Sequence, residues 1–189
     1  MSDHQNREFL PQKGNYKGLI VYQKAECIYD ITFYFANKFF QKGDRTIDQM
    51  IQAARSGKQN IAEGSAASST SRETEIKLTN VAKASLQELL VDYEDYLRVY
   101  DLEQWPENDE RVDRTRRIGR EHNDSAYYRE AITSRSDETI ANIAIVLIKQ
   151  EDYMLYRLLE RLKRDFLENG GIREEMSKAR REYREKNRE

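Results

Sequence analysis

Apolar residues recur along this chain at helical spacing, and strand-type alternation is hard to find in it. Between Tyr16 and Phe40, the residues Val21, Ala25, Ile28, Phe35 and Phe39 fall on one stripe. Tyr22, Tyr29 and Ala36 widen it, and Phe33 and Tyr34 carry it further round. An arc that wide predicts contacts on more than one side of the helix. Gly43 in "QKGD" stops this element, and Asp44 or Thr46 can cap the next one. A second helix is predicted from about Thr46 to Glu63, with Ile47, Met50, Ile51, Ala54 and Ile61 on its apolar face and Gly64 as the left-handed residue that ends it. After the turn-rich "SAASSTS", Thr70-x-x-Glu73 reads as a capping box. It opens a third helix, from about Arg72 to Tyr100, striped by Ala82, Leu86, Leu89, Tyr93, Leu97 and Tyr100.

Residues 103–137 break the pattern with Trp105-Pro106 and a dense charge run. A stretch of that length is too long for a plain connection in a compact bundle, so it reads as an ordered insertion or a partly disordered segment. Ser134 or Ser136 can cap a fourth helix from about Asp137 to Leu167, lined by Ile140, Ile143, Ala144, Leu147, Met154, Leu155, Leu158, Leu162 and Phe166. Gly170-Gly171 ends it. The expected fold is all-α, an antiparallel up-down four-helix bundle with a long insertion between the third and fourth helices and a charged C-terminal extension. The expected division is a loose arm over 1–15, the bundle over 16–169 and a charged tail over 170–189, which can form a solvated helix but no core of its own.

Composition agrees with long solvated helices: 35% of the 189 residues are charged, with only 2 Pro and 8 Gly to interrupt them. The net charge of −2 gives no global pull toward nucleic acid or an anionic membrane. Cys27 is the single cysteine, which excludes an internal disulfide framework and a CxxC metal site. It suits a reducing compartment, and the expected location is the cytoplasm. The first residues, "MSDHQNREFLPQKG", carry no basic-then-apolar signal pattern. The longest apolar run, Ile140 to Ile148, has nine residues and includes Asn142. A bilayer span needs roughly 20.

The order of "VYQKA" (21–25), "NIAEG" (60–64) and "AKASLQEL" (82–89) resembles the small bacterial helical proteins of the 23S rRNA intervening-sequence family. The accessory protein of diversity-generating retroelements belongs to the same group. The likeness covers residues 16–101 well and the fourth helix more loosely. The family's "SIPANIAEG" is similar to "SGKQNIAEG" here, with Ser56, Asn60, Ile61, Ala62, Glu63 and Gly64 kept; its "GSLxE" stands as Ala84-Ser85-Leu86-Gln87-Glu88. The insertion and tail look like the subgroup with an extra C-terminal region. The retroelement protein is strongly basic and this chain is not. The resemblance implies a four-helix bundle and a ring-like homopentamer, without an established biochemical activity.

Asn60 and Glu63 lie three apart on the second helix, as Ser85 and Glu88 do on the third. Were the carboxylates to meet, they could form an acid/base pair or metal ligands. Bundle metal sites, however, use Glu-x-x-His from two helices, and the only histidines are His4 in the arm and His122 in the insertion. The favoured reading is structural: Asn60 bonds backbone at a helix end, Glu63 takes amides of the turn or of the next helix, and Gly64 supplies a positive φ. Together with Ser85 and Glu88 these residues form a corner that docks the second helix on the third. Cys27 reads as a buried inert thiol, and Tyr93, Tyr96 and Tyr100 as core or interface rather than as base-stacking groups. The sharpest functional candidate is "RVDRTRRIGR", where Arg111, Arg114, Arg116, Arg117 and Arg120 place five positive charges in ten residues. Glu107, Asp109, Glu110, Glu121 and Asp124 flank and offset them.

No cofactor, metal site or enzyme activity is expected, since phosphate loops, nucleophile elbows and zinc patterns are missing from the sequence. The expected function is an oligomeric interaction scaffold, because the apolarity of 140–148 and of the first helix exceeds what one bundle face needs. The alternative is a nucleic-acid adaptor that repeats the arginine cluster around a ring. A nucleic-acid or protein partner is expected, and no membrane.

Overall fold

A computed structural model of the chain describes residues 15–187. The expected arm, apart from Asn15, and His4 with it, lies outside the described residues. Within them a 3₁₀ turn at Tyr16–Gly18 precedes α1 (Ile20–Phe39), α2 (Arg45–Ala67), α3 (Arg72–Val99), α4 (Glu110–Glu121), α5 (Ser125–Ile132), α6 (Asp137–Asn169) and α7 (Ile172–Lys186). The protein is all-helical: every other regular element among the described residues is an α-helix. α2 packs on α1 and α3, and α6 packs on the same two. Ile28, Ile31 and Phe35 of α1, Met50 and Ala54 of α2, Leu86, Leu89 and Tyr93 of α3, and Ile140, Leu147 and Leu155 of α6 are all fully buried between them.

Several punctuation marks act as expected. Gly43 takes a positive φ of 95°, and Asp44 Oδ1 accepts from Thr46 N at 2.8 Å to cap α2. Ser136 Oγ caps α6 by accepting from Thr139 N at 3.3 Å, and Gly170, at φ 73°, ends that helix. Two others are corrected. Ser71, not Thr70, caps α3, accepting from Thr74 N at 3.2 Å. The Thr70 hydroxyl instead donates back to Ala67 O at 3.1 Å, closing the end of α2. α2 also runs on to Ala67, so Gly64 is an interior helical residue without positive φ.

Gly57 and Gly64 are buried against α3. A Cβ on Gly57 would lie 2.7 Å from Leu86 Cδ2, whereas one on Gly64 would meet Glu75 O and Leu78 Cβ at 3.4 Å, an ordinary contact. Gly57→Ala is therefore expected to lower stability by about 1 kcal/mol, overpacking outweighing the helix-propensity gain. Gly64→Ala should be neutral or stabilising by up to ~1 kcal/mol. Urea titration of the two variants checks both; a Gly64→Ala loss with Gly57→Ala silent would contradict this packing.

Aromatic rings fill one end of the core. Phe35 lies 5.0 Å from Tyr93 and 4.8 Å from Tyr96, centroid to centroid, and Phe40 lies 5.2 Å from Tyr96. Tyr93 Oη donates to Thr32 Oγ1 and Tyr96 Oη to Asp137 Oδ2, each at 3.0 Å. Tyr93 and Tyr96 are thus core residues, and only Tyr100 of the three is exposed.

Residues 103–137 are an ordered insertion carrying α4 and α5, with α4 laid on α6 and α5 on α1. This corrects the reason for expecting a neighbouring subunit at 140–148. Every residue of that run is buried within the chain except half-buried Ile143. Asn142 is the polar pin inside it. Its Nδ2 donates to Glu103 O and Glu138 O at 2.8 and 2.9 Å, and its Oδ1 accepts from Trp105 N at 2.8 Å. A buried amide with its bonding capacity met fixes where the connection crosses α6. α7 differs from the rest in burying no residue.

Candidate functional site

The α2–α3 corner comes together only in part. Ser56 Oγ and Ser85 Oγ are 2.9 Å apart, and Asn60 Nδ2 donates to Ser56 O at 2.8 Å and to Ser56 Oγ at 3.1 Å. Asn60 therefore bonds backbone inside a helix rather than at its end, because α2 continues past it. Glu63 and Glu88 are exposed, and they share neither a hydrogen bond nor an ion-pair partner among the described residues. Glu63 bonds none of the turn amides expected of it, since those amides belong to a continuing helix. Asn60, Ser85 and Ser56 form a polar seam; the two glutamates stand outside it.

α4 carries the arginines. Asp109 caps it, accepting from Arg111 N at 2.7 Å, and Val112, Thr115 and Gly119 form its buried face. The cluster divides by partner. Arg111 pairs with Asp109 at 2.6 Å and Glu103 at 3.0 Å, and stacks 4.9 Å over the Trp105 ring. Arg116 pairs with Asp113 at 3.2 Å. Arg114, Arg117 and Arg120 are exposed and make no ion pair among the described residues. Nearby acids thus pair with two of the five and leave three exposed and unpaired among the described residues.

The insertion creates a buried polar centre that sequence reading missed. Lys24 of α1 is only 1% exposed, and its ammonium donates to Gly119 O and, at 2.9 Å, to His122 O. Both carbonyls lie at the C-terminal end of α4, where orphan acceptors and the negative end of the helix dipole favour a cation. Burial pulls the Lys24 pKa below the usual lysine range, with Cys27 and Glu151 pulling the other way. Glu151 of α6 is fully buried, and neither carboxylate oxygen has a hydrogen-bond partner. Burial raises its pKa well above the ordinary range against the opposing pull of Lys24, while Asp152 adds to the rise. Cys27 is buried nearby with its thiol pushed up to about 12, chiefly by burial, so it carries no thiolate at neutral pH. A signal was available: Lys24 sits three residues after Val21 and four before Ile28, and Glu151 four from both Leu147 and Leu155. Charges on the apolar stripe mark buried ionisable groups.

Above this centre lies a cavity of about 600 Å³ between α1, the Trp105 connection, α4 and α6. Among the described residues, no group of three His, Cys, Asp or Glu side chains is placed to hold a metal ion, and no helix is long and apolar enough to cross a membrane. Neither a protein-family model, nor a curated protein, nor a solved structure matches the chain.

Proposed function

We propose that this chain is a non-enzymatic, oligomeric interaction scaffold, built as an antiparallel up-down four-helix bundle of α1, α2, α3 and α6. The observation that carries this reading is α7. Its apolar residues Ile172, Met176, Ala179 and Tyr183 follow one another at spacings of four, three and four, the spacing of a coiled-coil seam. None of them is buried, and Tyr183 is 71% exposed. An isolated helix of 15 residues is marginal in water, so this seam gains stability from a second helix. The occupant is α7 of another copy. Glu175 and Glu182 flank the seam on one side and Arg173 and Arg180 on the other, so parallel copies bring unlike charges together. Arg72 anchors the first turn through an ion pair with Glu175 at 2.6 Å. The likeness of "VYQKA", "NIAEG" and "SLQEL" to the intervening-sequence family supports a ring of five.

Replacing Met176 and Tyr183 by Glu in the full chain tests this. Sedimentation equilibrium should show the mass falling toward 22.4 kDa, the mass of one chain. An oligomer of unchanged mass would remove α7 as the contact. A second reading, a nucleic-acid adaptor, is supported by the three exposed arginines of α4 without an ion pair among the described residues. It requires binding that weakens steeply with salt and is lost with Arg114, Arg117 and Arg120 changed to Ala.

A further inference from the structure

From the cavity beneath α4 we infer a second, independent property: this chain binds a small organic anion, a carboxylate head on an apolar body. The volume of about 600 Å³ falls within the range of small-molecule sites. Its walls are mostly apolar, supplied by Ile20, Val112, Ile145, Val146 and Met154. The charged groups on it are one-sided. Lys24, Arg116, Arg120 and Lys149 line it against the single carboxylate of Glu107. Arg116 and Lys149 have carboxylates beside them, Asp113 at 3.2 Å and Glu94 at 3.7 Å. Arg120 has none among the described residues, and Lys24 has two carbonyl acceptors for its three N–H bonds. A buried ammonium without a carboxylate in ion-pair range is a strong attraction for a carboxylate that arrives with its own apolar tail.

Residues of the same lining also carry unpaired polar atoms. Trp105 Nε1, Asn123 Oδ1 and Gln150 Oε1 are buried without a hydrogen bond, and all three residues line the cavity. Gln150 is held by its other end, Nε2 donating to Arg116 O at 2.8 Å. Gly119 lets α4 approach α6 closely here, since a Cβ there would lie 2.1 Å from Gln150 Oε1. The ligand's carboxylate takes Lys24 and Arg120 while its body lies on the apolar wall.

Trp105 is the single tryptophan of the chain, so its fluorescence reports directly on this cavity. Octanoate, octylamine and octanol serve as probes with one tail and three head charges. Titration of the full chain should give a saturable Trp105 change with octanoate, at least about tenfold tighter than with octanol and absent with octylamine. Arg120→Gln should weaken octanoate by about tenfold, and Val146→Phe, which fills the space, should abolish the change with helix content retained by circular dichroism. Equal response to all three probes, or octanoate binding untouched by Arg120→Gln, would overturn the proposal; so would the lack of any saturable response. The oligomer mass does not enter this readout, so the failure of either reading leaves the other standing.

Discussion

Lys24→Met lowers the stability of this protein by about 3 kcal/mol and loosens α4 and α5 before the rest. The methionine keeps the length of the side chain but donates nothing. Gly119 O then loses its buried donor, and His122 O keeps only the Tyr128 hydroxyl. A buried acceptor stripped of its partner costs about 1–3 kcal/mol. The charge-assisted bond to His122 O is lost as well, and, set against the desolvation penalty removed with the ammonium, this keeps the net near the top of that range. The damage is local because α4 packs chiefly on α6, with Lys24 as its hydrogen-bonded link to α1. Tyr128 Oη also donates to His122 O, at 3.1 Å, so α5 loosens with it. Urea unfolding gives the size of the effect. Hydrogen exchange gives its place: peptides spanning 110–132 should exchange faster while those of α2 and α3 keep their protection. Uniform acceleration across all helices would contradict the local account.

Glu151→Met has the opposite sign, and its size depends on pH. Burial holds the Glu151 carboxyl well above the usual range, so the folded state keeps it protonated where the unfolded chain has ionised. Below the unfolded value near 4.5 both states are protonated and the residue costs little electrostatically. As pH rises from there toward the raised folded value, the unfolded chain releases a proton that the folded one retains, and stability falls. Methionine removes that loss. The variant should exceed the natural protein by about 1–3 kcal/mol near pH 4, where an unbonded neutral carboxyl is removed, and by more at neutral pH. Parallel denaturant titrations at pH 4, 5.5 and 7 read this directly. A gain of equal size at every pH would point to packing alone. A loss at pH 7 would show the carboxylate to be paired and ionised in the fold.

The helices of this protein are legible in its sequence because their stripes are long and their stops are marked. Gly43, Asp44, Ser136 and Gly170 each do locally what their residue type suggests. What could not be read depends on neighbours. Gly64 looks the same whether it ends a helix or lies within one, and Gly57, which lets α3 approach, carries no mark that sets it apart from a helix stop. The apolar run 140–148 exceeds one bundle face, as the sequence implies, but its cover is the chain's own α4 and connection rather than another subunit. Of the arginines, the sequence shows the number and not the pairing. Arg111 and Arg116 find Asp109 and Asp113 at two and three residues' distance, while Arg114, Arg117 and Arg120 point away from such partners. Lys24 and Glu151 lay in view on their stripes. For Lys24 the meaning requires the insertion to fold back and supply the carbonyls of Gly119 and His122.

The most direct test of the scaffold reading is the mass of the full chain by light scattering, with and without mixed RNA and DNA, at low and high salt. The account predicts a multiple of 22.4 kDa, five-fold for the ring, that neither nucleic acid nor salt changes. A monomer at every concentration would contradict it, and a salt-sensitive rise in mass with nucleic acid would replace the scaffold with the adaptor.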